Sequence, residues 1–149
     1  ELPLRGRDTE IFTGLAKRLL VLAGGTSGAV FGTLFNELAR AESLADGLNA
    51  AADLIHELGG AQRGDRTMLD ALIPAAEKAR ELGAKDPDAE TLQELFDAAH
   101  AGALDTEDLA AKKGRASYLG ERSKGHQDPG ATSLALFIES AARCLPAQS

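Results

Sequence analysis

The sequence predicts an all-α domain, an antiparallel up-and-down helical bundle or barrel. Three observations predict it. Apolar residues recur at helical spacing in segment after segment, and no stretch alternates apolar with polar as a half-buried strand would. Aromatic residues make up only 4% and tryptophan is absent, while alanine and leucine dominate; that composition favours close-packed helices over sheets. The connections are short and marked by glycine or proline, which joins antiparallel neighbours. A chain of 149 residues suits one domain with a real core, and 1–149 is read as a single domain.

Residues 1–7, ELPLRGR, read as an irregular lead-in. Asp8 or Thr9 caps a first helix from Glu10, with Ile11, Phe12, Leu15, Leu19 and Leu22 at helical spacing, until Gly24 and Gly25 end it. A second helix starts near Thr26 or Ser27. Its early run, SGAVFGTLF, carries no charge before Glu37, so burial nearly all round is expected. A third covers about 44–58, with Leu44, Leu48, Ala51, Leu54 and Ile55 on one face and Gly59–Gly60 as its C-cap. A fourth runs from about Arg66 to Leu82, capped by Asp65 and stopped by Gly83; Pro74 inside it predicts a kink or local break. After KDPD a fifth begins at about Ala89. It continues to Lys112 as one rod, or breaks between Ala103 and Thr106. Lys112, Lys113 and Arg115 would complement the negative end of the longer version. A short helical turn fits 116–122, and the last helix covers about 129–144, before Pro146.

The segment 114–133, GRASYLGERSKGHQDPGATS, has no amphipathic pattern. It sets Arg115, Arg122, Lys124, His126 and Asp128 among Gly114, Gly120, Gly125 and Gly130. Glycine lets backbone approach a ligand closely. Asp128 suits an N-cap and Pro129 the first helical position, so the N–H groups around Gly130 face outward at a positive helix end that favours an anion such as phosphate. Three glycine-bearing loops, 24–28, 59–65 and 125–130, fall at one end of an up-and-down bundle. Taken singly, each is an ordinary helix cap. Arg115, between a glycine and a small residue, has little apolar cover and forks well onto phosphate. His126 reads as bracing its loop by hydrogen bonds, ahead of catalysis. His56 and His100 receive no role; Asp65 fits the N-cap of the fourth helix with Asp70 one turn further on, and a metal role for either is the minority reading. No catalytic residue is assigned.

With GGTSGAVFG at 24–32 and GDRTMLDAL at 64–72, this segment resembles the nucleotide-binding domain of dihydroxyacetone kinases, called DhaL where it is a separate bacterial subunit. The three pieces occur in the family's order and span most of the chain. The resemblance implies an eight-helix up-and-down barrel, of which this chain supplies six or seven helices. It implies ADP or ATP as the bound cofactor, with Thr26 and Ser27 on the phosphates, Gly59 and Met68 beside the nucleoside, and Arg115, Asp128, Pro129 and Gly130 completing the site. It implies transfer of a phosphoryl group to dihydroxyacetone held on a partner kinase subunit. In the phosphotransferase-system version, a third protein rephosphorylates a resident ADP. A non-catalytic nucleotide-binding or regulatory subunit is the alternative. A related kinase domain acting on carrier-held fatty acids is a weaker match, because the run ERSKGHQDPGA is intact.

The family also carries an acidic loop of three aspartates and a histidine that holds two magnesium ions. Residues 1–23 offer only Glu1, Asp8 and Glu10, so no metal ligands are assigned and an N-terminally incomplete domain, inactive by itself, is the expectation. Net charge is −7 and the pI about 4.9, with no basic stripe, which argues against nucleic acid as a partner. The longest apolar stretch, LLVLAGG at 19–25, is too short to span a bilayer, so no membrane role is expected and the cytoplasm is the default compartment. Cys144, the single cysteine, reads as a small apolar residue near the end of the last helix.

Overall fold

The computed structural model describes residues 25–110, 120–122 and 124–144. The helix expected over 10–22, Arg115, and most of the turn expected at 116–122 lie outside them. Among the described residues there are five α-helices and no strand: α1 Gly25–Arg40, α2 Leu44–Gly59, α3 Leu69–Leu82, α4 Ala89–Asp105 and α5 Pro129–Cys144. Each packs on the next in chain order, and α3 also touches α5. Phe35 of α1 meets Phe137 of α5 edge to face, with ring centroids 4.9 Å apart at 75°, the geometry that aromatic quadrupoles favour.

The core is built from small side chains. Ala51, Ala71, Ala75, Ala79, Ala99 and Ala131 are fully buried, and Leu34, Leu69, Leu72, Leu95 and Leu134 fill the space between them. Alanine at facing positions brings helix axes close, and that is how so few aromatics suffice. The expectation for the glycine-rich helix holds in α1. Gly28, Gly32, Leu34, Phe35 and Ala39 are buried, and between 28 and 39 only Ala29 is exposed.

The ends of the helices show local chemistry at work. Gly60 adopts a left-handed conformation (φ 69°) and its N–H donates to the His56 carbonyl, closing α2. Gly83 does the same for α3. Ser43 caps α2 and Asp88 caps α4 through their side chains. At the far end of the bundle, Leu44 and Ala45 donate their N–H groups to the Lys85 and Ala84 carbonyls, which ties the two tight turns together. Cys144, read from sequence as a small apolar residue, is exposed at the last position of α5.

Two expectations are corrected. α3 starts at Leu69, not near Arg66, and Asp65 is not its cap. Arg66 takes a left-handed φ of 63°, which no right-handed helix accommodates, so the helix begins only after it. Pro74 does not break α3, which runs unbroken from Leu69 to Leu82. The carbonyl that proline leaves without a donor is that of Asp70, and it lies against Gly102 of α4. Of the two endings left open for the fifth predicted helix, the shorter is observed: α4 stops at Asp105 and a single 3-10 turn, Thr106–Asp108, follows.

Candidate functional site

The site is built where the α2–α3 connection meets the start of α5. Within 60–68 the chain takes positive φ at Gly60, Gly64 and Arg66. Asp70, one residue into α3, organises this loop: its Oδ1 accepts the Gly64 N–H at 2.7 Å and its Oδ2 the Thr67 N–H at 2.9 Å. Asp65 Oδ2 accepts the Gln62 N–H at 3.1 Å, a bond within the loop. His56 is not idle: its Nδ1 donates to the Ala61 carbonyl at 2.6 Å, the only role a ring nitrogen can take towards a carbonyl.

The segment leading into α5 is held from two sides. On one side, Thr106 is fully buried; its Oγ1 donates to the Ala103 carbonyl at 2.5 Å and accepts the Asp128 N–H at 2.8 Å. The Gly125 N–H donates to the Glu107 carbonyl at 2.7 Å. These bonds explain why α4 ends where it does, since its last turn is diverted to receive the incoming segment. On the other side, Arg66 Nη2 donates to the His126 carbonyl at 2.5 Å. The bracing assigned to His126 is thus made by its backbone, while its side chain is exposed.

Asp128 caps α5 as the sequence indicates, its Oδ2 accepting the Ala131 N–H at 2.9 Å. Its Oδ1 lies 3.9 Å from Arg66 Nη1. Burial pushes the Asp128 carboxyl above the ordinary carboxylate range, and the Asp70 charge adds to that. The Ala131 and Gly130 N–H groups and the Arg66 guanidinium oppose it without prevailing.

Of the eight residues assigned from resemblance, the structure brings Met68, Asp128 and Gly130 together. A methyl group at Gly130 would sit 3.1 Å from Asp128 Oδ2 and 3.4 Å from Met68 Cβ. Two of the three recognised segments therefore meet at the N-terminus of α5, with Pro129 as its first residue. Thr26 and Ser27 lie in the first turn of α1, which the alternating helix order places at the same end of the bundle. Gly59 is the exposed last residue of α2, with open space around it. Arg66 and Thr106 belong to this junction although no local sequence signal marks either. Two clefts, of about 260 Å³ between α4 and α5 and about 350 Å³ between α2 and α3, border this junction at Gln127 and at Ala61–Gln62, and neither is lined by any of the eight.

Gly130 stands at the positive end of α5 beside Met68, which is buried in the core, and Asp128 holds the Ala131 N–H. Among the described residues no group of three or more His, Cys, Asp or Glu side chains is arranged to hold a metal ion. The carboxylates nearest the junction, Asp65, Asp70 and Asp128, accept backbone N–H groups.

Residues 5–143 match the model of the DAK2 domain. The chain belongs to the DAK2 domain family. It is 39% identical over 131 residues to the ADP-binding subunit DhaL of the PEP-dependent dihydroxyacetone kinase of Escherichia coli, covering 81% of this chain and 62% of that subunit. It is also 39% identical to D-erythrulose kinase of Mycolicibacterium smegmatis, over 91% of this chain and 25% of that enzyme. The dihydroxyacetone kinase of C. freundii, solved in complex with AMP-PNP and Mg2+, superposes with a TM-score of 0.67 at 31% identity, covering 91% of this chain and 23% of that one. The chain thus spans less than two thirds of the length of these relatives. The all-helical fold expected for a DAK2 domain is the one observed.

Proposed function

We propose that this DAK2 domain binds ADP or ATP across the junction of Met68, Asp128, Pro129 and Gly130, with Thr26, Ser27, Gly59 and Arg115 contributing from neighbouring loops. In this reading 1–149 is one domain, the nucleotide-carrying part of a dihydroxyacetone kinase. It passes a phosphoryl group to dihydroxyacetone held on a partner subunit. The observation that carries the reading is the closeness of Gly130 to Met68, where an added methyl would meet Met68 Cβ at 3.4 Å; it brings two nucleotide-associated segments together at a helix N-terminus.

The chemistry asked of the chain's own residues is binding and orientation. The first turn of α5 turns the positive end of its helix dipole toward the phosphates, while Asp128 itself holds the Ala131 N–H. Arg115 adds a forked cation. Met68, buried in the core beneath Gly130, backs the nucleoside side of the site. Relatives named for dihydroxyacetone and for erythrulose share this domain, so nucleotide handling is the common function and the ketose is set by the partner. Relatives described as PEP-dependent and PTS-dependent favour a phosphotransferase-system donor acting on a resident ADP. Magnesium belongs with the nucleotide in this proposal, and the cytoplasm is the proposed compartment. No described helix is long and apolar enough to cross a membrane.

Calorimetric titration of the chain with ADP, with and without magnesium, tests the reading. Saturable binding that ATP competes away is the expected result. Absence of saturable binding of either nucleotide overturns it.

A further inference from the structure

Among the described residues Arg66 is the one non-glycine residue with positive φ, at 63°. It is also 4% exposed, and its Nε has no hydrogen-bond partner. A left-handed backbone strains any side-chain-bearing residue, and a buried donor without an acceptor adds a second cost. Glycine or asparagine at position 66 would avoid the first and remove the second. Stability of the loop alone therefore does not account for an arginine here. Costs of this kind that the fold tolerates point to a function.

The loop's own geometry is already secured without it. Asp70 holds the Gly64 and Thr67 N–H groups on either side of Arg66, and Asp65 holds that of Gln62. What Arg66 adds is reach. The left-handed turn carries its guanidinium across to a segment 60 residues away in sequence, where Nη2 donates to the His126 carbonyl. Nη1 lies 3.9 Å from Asp128 Oδ1, and Asp128 Oδ2 holds the Ala131 N–H above Gly130. Thr106 fixes the same segment from the opposite side, at the Asp128 N–H. The segment is thus pinned at two points, and Arg66 is the pin on the Met68 side.

We propose that Arg66 is a positioning residue for the nucleotide site: its guanidinium clamps the 126–128 segment to the α2–α3 loop and so sets Asp128, Pro129 and Gly130 against Met68. The clamp acts through the loop and does not touch the nucleotide. Its effect on affinity rests on the nucleotide reading above.

The test uses Arg66→Met and Arg66→Lys in this chain, with three measurements on each. These are ADP affinity by calorimetry, hydrogen exchange at the Gly125 and Ala131 amides, and the unfolding midpoint. Arg66→Met is expected to fold, to lose roughly tenfold in ADP affinity, as for loss of one charge-assisted hydrogen bond, and to exchange faster at both amides. Arg66→Lys is expected to restore most of the affinity and protection, because an ammonium still donates to the His126 carbonyl. Wild-type affinity in Arg66→Met overturns the proposal. So do equal losses in both variants that follow the unfolding midpoint, which describe a merely structural residue. Should Arg66→Met not fold, Arg66→Lys decides: near-wild-type affinity supports the clamp, and a tenfold or greater loss, roughly the effect of deleting the bond, overturns it. If the wild-type chain itself does not bind ADP, the nucleotide reading fails separately. The clamp then stands or falls on whether Arg66→Lys protects the two amides better than Arg66→Met.

Discussion

Gly102 of α4 packs directly on the main-chain carbonyl of Asp70 in α3. A Cβ at position 102 would overlap the carbonyl oxygen and lie 3.0 Å from the carbonyl carbon and 3.2 Å from Pro74 Cγ. The proline and the glycine are complementary. Pro74 has no N–H for the Asp70 carbonyl, and Gly102 has no side chain to keep that carbonyl at a distance. Gly102→Ala must therefore push backbone against backbone. A loss of about 2 kcal/mol is expected from overpacking at this seam, read as a lower urea midpoint with an unchanged slope.

Most of the helix framework is legible in the amino-acid sequence, because its signals are local. Gly60 and Gly83 stop α2 and α3 in left-handed conformations, and Asp128 with Pro129 starts α5 as its capping chemistry dictates. The α2–α3 loop is not legible in this way. Asp65 looks like a helix cap in sequence and is not one, and Asp70 Oδ1 is committed to Gly64, six residues back, by the path of the loop. Nothing local announces a left-handed arginine at 66. The end of α4 is undecidable from sequence for the same reason, since Thr106 is engaged by Asp128 from 22 residues further on. Of the candidate site, Met68, Asp128 and Gly130 are named by resemblance, whereas the residues that hold them together act through contacts distant in sequence.

Gly130→Ala separates the site from the fold. Gly130 has no positive φ, so alanine fits its backbone and gains about 1 kcal/mol of helix propensity. The added methyl would crowd Asp128 Oδ2 at 3.1 Å and Met68 Cβ at 3.4 Å. These effects oppose each other in stability, so the thermal midpoint is expected to move little. In binding they do not cancel, because the methyl fills the space where phosphate approaches the positive end of α5. ADP affinity is expected to fall by roughly an order of magnitude, about 1.4 kcal/mol. Unchanged calorimetric affinity would remove Gly130 from the site.

Arg115→Ala should weaken ADP binding without unfolding the domain. The residue is placed by resemblance to the family's site. A guanidinium on phosphate contributes roughly 1.5–3 kcal/mol of charge-assisted hydrogen bonding. The dissociation constant is thus expected to rise about ten- to hundredfold. Titration of the variant against wild type, with circular dichroism to check the fold, gives the answer; equal affinities would exclude Arg115.

Asp128 sets burial against an ion pair, and pH decides which prevails. If the Arg66 contact governed, the folded state would favour the carboxylate, and stability would fall as acid protonates it. The contact is long, at 3.9 Å, and burial is the larger influence, so the folded-state pKa is raised above its ordinary value of 3.8. The sign then reverses. Between the ordinary value and the raised one, the folded state binds more protons than the unfolded chain, so this residue's contribution is full at low pH and is lost as pH rises through that window. Asp128→Asn keeps the cap, since asparagine is as good an N-cap as aspartate, and removes the titration. Unfolding midpoints of the two, compared from about pH 4 to about pH 8, should therefore show wild type gaining on Asp128→Asn as the pH falls. A wild type that loses ground on acidification would mean that Arg66 holds the Asp128 charge against its burial.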